Sequence, residues 1–278
     1  AAGRWMDDNG GDWTAQLAQQ RAGGWDMPDR DLAIIDAATL DVTYATGLMN
    51  ICMGVGVNPA SGAVSVIGTD AKNEVRFEPI LRGTFLRVNI AMVDPVSGAK
   101  QIHDLNPHLD YSTGSASQNI RNQSLGDPRG IVWNVAGTRG YVTGMGSRNL
   151  VVIDALGQRV SLPVELPEGP SGLALDETRN SLYVLNRFAA SLSVLDAGTL
   201  TVQTNIALFD PTPEAIKTGR KQLYDTRQNS GLGLVSCASF HVDARFDRLA
   251  WDLGSPALNA TESPFKTMQG KSEFFHPM

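Results

Sequence analysis

The chain has 278 residues, 42% hydrophobic and 19% charged, with 28 Gly, 14 Pro and a formal net charge of -6. That length and balance suit one large globular domain, or one domain plus part of another. The acidic charge and the lack of a Lys/Arg cluster argue against nucleic acid as a partner. Nowhere do eighteen apolar residues run together, so no membrane-spanning helix is expected.

Residues 1–30 read as an N-terminal extension. The opening, AAGRWMDDNGGDW, has no positive stretch followed by an apolar run and no initiator Met. This fits removal of a signal or of a larger upstream region. Within it, DDNGGDW (7–13) is acidic and glycine-rich, which makes it a candidate calcium loop. It lacks the Asp-x-Asp-x-Asp-Gly spacing and the distal Glu of a strong calcium motif. A turn-rich loop is the simpler reading.

Residues 31–210 carry a repeat, the strongest signal in the chain. GDPRGIVWNVAGTRGYVTGMGSRNLVVIDA (126–155) aligns without a gap to EGPSGLALDETRNSLYVLNRFAASLSVLDA (168–197) at an offset of 42 residues. Pro128 meets Pro170, Gly130 meets Gly172, Tyr141 meets Tyr183 and Asp154 meets Asp196. A third copy, GVGVNPASGAVSVIGTDAKN (54–73), aligns at an offset of 76. It pairs Asn58 with Asn134, Gly68 with Gly144 and Asn73 with Asn149. An insertion around EVRFEPILRGTF follows, and the pattern resumes at VNIAMVDP, with Asp94 in the place of Asp154. LAIIDAATL (32–40) repeats the Asp-Ala turn of SVLDAGTL (193–200). Each unit reads as four short strands in roughly 40 residues: an apolar strand, a polar turn, an alternating Tyr-Val strand, and an apolar strand ending at an Asp turn before the last. Asp suits that turn because its side chain bonds its own backbone. This predicts an all-β chain of propeller blades. Cys52 is expected in a core strand. His103 and His108, with Asp104 and Asp110, lie in a polar excursion whose spacing matches no strong metal motif.

These units resemble the YVTN-type β-propeller repeats of surface-layer and periplasmic proteins. The likeness rests on Tyr141-Val142-Thr143, Tyr183-Val184-Leu185-Asn186 and the Val-x-Asp turns. It implies a periplasmic or cell-surface location. Three to four blades can be counted, fewer than most propellers need for closure. The sequence therefore reads as a partial or incomplete propeller, and as a piece of a longer protein.

After Asp210 the composition changes. PTPEAIKTGRKQLYD (211–225) predicts a helix capped by Thr212, with Pro213 in its first turn and Glu214 at its positive end. Ile216, Leu223 and Tyr224 fall near one face. A Ser/Gly loop and VSCASFH (235–241) follow. In HVDARFDRLAWDLG (241–254), mixed charges surround aromatic residues. Cys-x-x-Cys-His is the c-type haem attachment pattern, and Phe240 stands where its second cysteine would be.

Residues 211–254 resemble the first haem domain of bacterial di-haem cytochrome c peroxidases and MauG-like proteins. Gly219, Leu223, Tyr224, Asp225, Ser230, Gly231, Ser236, Cys237 and His241 follow that family's order, with one extra residue between Gly219 and Leu223. The resemblance implies that 211–278 is a truncated, short α-helical cytochrome-c-like segment. Cys237 would give the single thioether to haem c and His241 would be the proximal iron ligand. His276 and Met278, at the end of the chain, are candidate sixth ligands. A redox partner protein would complete the pathway. The implied function is the propeller scaffold of a c-type cytochrome or di-haem peroxidase-like electron-transfer protein. Two alternatives stand beside it. One is a non-catalytic propeller that binds a protein or small ligand and keeps a vestigial haem site. The other is a lactonase-like propeller hydrolase. The sequence has no Ser-His-Asp order, Walker loop or His-Glu-x-x-His motif.

Overall fold

The computed structural model describes residues 30–75 and 84–245. Among them are fourteen strands and three short helices. Strands β1 (Leu32–Ile35) and β2 (Val42–Ala45) form an isolated hairpin. Three four-stranded antiparallel meanders follow. The first holds β3 (Ile51–Val57), β4 (Val64–Val75), β5 (Thr84–Val93) and β6 (Lys100–Asp104) in that order. The second holds β7 (Pro128–Trp133), β8 (Arg139–Gly144), β9 (Asn149–Asp154) and β10 (Val164–Glu165). The third holds β11 (Pro170–Asp176), β12 (Ser181–Asn186), β13 (Ser191–Asp196) and β14 (Val202–Ala207). The opening strands β3, β7 and β11 of successive sheets lie side by side. Consecutive four-stranded meanders packed through their first strands form a propeller-like array.

The turns explain why each strand stops where it does. Asp36 accepts the N–H groups of Ala38 and Thr39, Asp94 those of Val96 and Ser97, and Asp196 those of Gly198 and Thr199. Asp154 does the same for Leu156 and Gln158. This is the Asx turn expected from the repeat. The turns also need one left-handed residue. Gly98 and Gly157 supply it in two copies, and Leu40 and Leu200 are held at φ 63° and 62° in the other two.

Two seams hold the three sheets together. Ile67, Ile90 and Met92 of the first sheet pack against Trp133, Val142, Val151 and Ile153 of the second. Tyr141, Leu150 and Val152 on the second sheet's other face meet Leu182, Val184 and Leu195 of the third. Fully burying such side chains contributes about 1.5–3 kcal/mol each. Polar groups also pair across the seams. Trp133 Nε1 donates to Ser65 Oγ at 2.9 Å, and Tyr141 Oη donates to the Ala197 carbonyl at 3.2 Å. The hairpin covers the outer face of the first sheet, where Leu32, Ala45, Leu48 and Met49 meet Val66, Ala91 and Val93.

Three details depart from the sequence expectation. Cys52 is exposed, because β3 is the innermost strand and one of its sides is open. The insertion after Asn73 lengthens one hairpin, in which Val75 still pairs with Thr84. Asn89, five residues before the turn Asp94, therefore stands where Asn149 stands in the second sheet. Helix α1 (Gln118–Arg121), in the connection from the first sheet to the second, carries no periodic signal.

Backbone approach at the centre is close. The register of each innermost strand slips at the same aligned place: Cys52/Gly54, Pro128/Gly130 and Pro170/Gly172. A Cβ on Gly130 would lie 2.0 Å from the Ser171 carbonyl oxygen, whereas one on Gly219 would touch nothing. Gly130→Ala is therefore expected to destabilise the protein by about 1–3 kcal/mol. Gly219→Ala, in an exposed helix, is expected to stabilise it by about 1 kcal/mol. Urea unfolding midpoints check the pair, and equal effects of the two would contradict this packing.

Candidate functional site

Helix α2 (Glu214–Tyr224) forms over the expected span. Its N-cap is Pro213 rather than Thr212, one residue later than expected. The Pro213 carbonyl accepts the first helical N–H groups, from Ile216 and Lys217. Thr212 is engaged elsewhere: its N–H donates to Asp210 Oδ1 and its hydroxyl accepts from Arg220. Ile216 and Leu223 are exposed, so the helix is held by its polar and aromatic groups. The Tyr224 ring packs 4.6 Å from that of Phe188, and Arg220 lies over Phe188 at 5.4 Å. Lys221 pairs with Glu168 at 3.1 Å. Between the helix and the second and third sheets lies a shallow, open cleft lined by Met145, Arg148, Glu168, Phe188, Arg220 and Tyr224 among others.

The chain beyond α2 is laid across the sheets. Asp225 caps α3 (Thr226–Asn229) by accepting from the Arg227 and Gln228 N–H groups. Thr226 N–H donates to the Gly146 carbonyl at 3.1 Å. Buried Arg227 pairs with Glu165 at 2.7 Å. Ala116 N–H donates to the Gly231 carbonyl, and Ser124 Oγ to the Leu232 carbonyl, each at 2.7 Å. Leu232 and Leu234 then enter the main core beside Leu105, Leu109, Tyr111 and Leu125.

This mooring delivers the candidate haem turn. Cys237–Ser239 is a single 3-10 turn. The Cys237 carbonyl accepts from Phe240 N–H at 3.1 Å and from His241 N–H at 3.0 Å. Cys237 is exposed and His241 half-buried, and a single closed backbone turn separates them. Phe240 packs against the main core. A thiol and an imidazole four residues apart in one turn fit one thioether and one axial ligand. Phe240 offers no second attachment. Met278, His276 and the DDNGGDW stretch lie outside the described residues.

The other candidates do not converge. His103 sits on β6 opposite Ile90. His108 lies in the following loop, where its Nε2 is 3.4 Å from Ser124 Oγ, and burial lowers its pKa. Asp104 pairs with Arg87 at 3.0 Å, and Asp110 accepts from Ser112. No three His, Cys, Asp or Glu side chains gather into a metal-ligating group among the described residues.

One charged group was not singled out by the sequence. Asp127, the aligned counterpart of Gly169, shares its left-handed backbone and is fully buried at the head of β7. Its Oδ1 accepts from Arg129 Nε at 2.8 Å, and Arg129 reaches on to Asp243 at 3.1 Å, joining the second sheet to the segment just past His241. Asp127 Oδ2 has no hydrogen-bond partner. Burial pushes the Asp127 carboxyl up to about 6, against the pull of Arg129.

Among solved structures, the chain is similar to hydrazine synthase of Kuenenia stuttgartiensis, with 17% identity over 58% of this chain and 50% of that one, at a TM-score of 0.44. It is also similar to a catalytically inactive virginiamycin B lyase from Staphylococcus aureus with quinupristin (17%, 76% and 56%, TM-score 0.42). AztD from Citrobacter koseri in its apo form matches at 16% over 63% and 56%, TM-score 0.35. The chain spans about half the length of these structures. At such scores the likenesses carry no argument about site or activity, and the architecture rests on the sheets themselves. No protein-family model and no curated protein matches the chain.

The Asp127 carboxyl gives a pH signature. The unfolded group loses its proton near 3.8 and the folded one near 6, so the folded state binds more protons between those values. Stability from this group is therefore full at low pH and falls by about 3 kcal/mol as pH rises from 4 to above 6. The turn aspartates act in the opposite sense. Backbone N–H groups, led by those of Thr39, Ser97 and Thr199, hold Asp36, Asp94 and Asp196 below the ordinary value. The measurement is thus a difference. Relative to wild type, Asp127→Asn is expected to gain stability steadily from pH 4 to pH 7 in urea titrations. A pH-independent difference would contradict the assignment.

Proposed function

We propose that this chain is the propeller scaffold of a c-type cytochrome-like electron-transfer protein of the periplasm or cell surface, with YVTN-like blades. In this reading Cys237 and His241 form its haem attachment. The observation that carries the proposal is the turn itself: an exposed thiol and a histidine stand at the two ends of one turn, closed by the His241 N–H bond to the Cys237 carbonyl. Cys237 would hold haem c by one thioether, and His241 would be the proximal ligand. Met278 is the proposed sixth ligand. The bound haem would supply one-electron redox chemistry, with its potential set by the axial ligands and by burial. The chain's own contribution is positional. Leu232, Leu234 and Phe240 anchor the turn in the main core, and the Arg129–Asp243 pair fixes the backbone just beyond His241. A redox partner protein would exchange electrons with the exposed Cys237 side.

One observation favours a second reading. Phe240, at the position of the missing cysteine, packs against the core, as expected if the haem site is vestigial. The protein would then bind a partner or small ligand without catalysis. The shallow cleft beside Arg148, Phe188, Arg220 and Tyr224 places aromatic and cationic groups together on that surface.

Co-expression with cytochrome c maturation machinery separates the two. The first reading predicts a Soret band and haem that survives acid-acetone extraction. Cys237→Ser should release the haem to extraction, and His241→Ala should shift the Soret band. Colourless, fully folded wild-type protein would overturn the first reading and leave the second.

A further inference from the structure

Three Asp–Pro bonds lie among the described residues, after Asp94, Asp127 and Asp210. The chemistry of such a bond sets it apart from other peptide bonds. Its nitrogen belongs to a tertiary amide and departs as a secondary amine. An oxygen of the aspartate side chain reaches the carbon of its own carbonyl by closing a five-membered ring, so the attack is intramolecular.

Two of the three carboxylates are held away from this chemistry. Asp94 is exposed, and its Oδ1 accepts from the Val96 and Ser97 N–H groups. Asp210 accepts from Thr212 N–H at 2.9 Å and pairs with Lys217 at 3.3 Å. Asp127 is different. It is buried, its Oδ1 is held by Arg129, and its Oδ2 has no hydrogen-bond partner among the described residues. Its carbonyl accepts from Met145 N–H at 2.8 Å, so a donor already stands where negative charge would develop. Its backbone is left-handed at φ 52°, where the third sheet places Gly169 at 75°. A side chain strains the backbone there, and breaking the bond relieves that strain. The charged groups that face Asp127 are Arg129 of β7 and Asp243 beyond it. Gly146 and Thr226, which also pack there, bring no charge.

We propose that the Asp127–Pro128 bond is a self-cleavage site, opened by the Asp127 carboxyl in mildly acidic solution. The carboxyl proton passes to the Pro128 nitrogen, and Oδ2 attacks the Asp127 carbonyl carbon. The Met145 N–H holds the oxyanion that forms. The carbon–nitrogen bond then breaks with its electron pair on nitrogen, and Pro128 leaves as a secondary amine. Asp127 is left as a cyclic anhydride, which water opens to two carboxyl groups. The net reaction is hydrolysis and consumes one water. Burial keeps the Asp127 proton in place up to about pH 6, whereas hydrogen bonds hold Asp94 and Asp210 below the ordinary carboxylate range. Pro128 opens β7 at the slip in register between Pro128 and Gly130, which lets the new chain end move away from the anhydride. The inference is independent of the haem reading.

Intact-mass spectrometry of the full chain held at pH 5 tests it. Fragments 1–127 and 128–278 should accumulate over days, with masses that sum to the chain plus one water. The rate should fall about 100-fold between pH 5 and pH 8, following the protonated fraction of a carboxyl that titrates near 6. Asp127→Gly copies the residue at Gly169, and should fold by circular dichroism and stay whole. Wild type unfolded in urea at pH 5 should be cut at this bond at least about ten-fold more slowly than folded protein. Folded wild type that stays intact at pH 5 would overturn the inference. So would cutting of Asp127→Gly at this bond, or equal cutting of folded wild type at all three Asp–Pro bonds. If Asp127→Gly does not fold, the urea comparison decides, and equal rates in folded and unfolded chains would overturn it.

Discussion

Everything in this molecule depends on the apolar seams between neighbouring sheets. A strand buried on both faces cannot alternate apolar and polar residues, and must be apolar nearly throughout. Leu-Val-Val-Ile in β9 meets that demand, with Leu150 and Val152 on one seam and Val151 and Ile153 on the other. The demand also sets the glycines. The innermost strands lie close enough that Gly130 leaves no room for a Cβ against the Ser171 carbonyl. The Asp turns then fix strand length, so that each sheet offers its neighbour the same set of side chains. A seam is also a polar device: Ser65 and Tyr141 occupy aligned positions, and each bonds across to the next sheet.

The segment after β14 borrows this platform. Little of α2 is buried, and the helix is tied down by ring contact and ion pairs. Residues 226–236 are different, because Leu232 and Leu234 complete the main core and Gly231 meets the Gly114 carbonyl too closely for any side chain. The Cys237–His241 turn inherits its rigidity from that anchorage. Phe240 is the point of tension. The side chain that packs against the core is the one that stands in place of a second thioether, so packing and double attachment compete for a single position.

Much of the fold was legible in the sequence because the repeat is legible. The offset of 42 residues aligns strands and turns of the second and third sheets throughout, and all four turn aspartates behave as the pattern implies. The lengthened β4–β5 hairpin was harder. An insertion that preserves strand pairing looks like an interruption, and the eye aligns Asn73 with Asn149 when Asn89 holds that place. Of the candidate site, Cys237 and His241 were legible as a motif, and the turn that joins them is seen in the structure. Asp127 was not, since nothing in Gly-Asp-Pro says that the aspartate will be fully buried or will reach Asp243 through Arg129. Nor does composition reveal that the C-terminal segment packs across the sheets: Gly231, Ser230 and Thr226 act through backbone bonds to residues far away in sequence.

The central claim is that the sheets and residues 226–241 form one cooperative unit that carries the Cys237–His241 turn. Native-state hydrogen exchange tests it most directly. The amides of Thr226 and Ala116, bonded across to Gly146 and Gly231, should open with the same free energy as those of β8 and β9. Fast exchange at Thr226 and Ala116 while β8 and β9 stay protected would contradict it, and would make the turn a separate appendage.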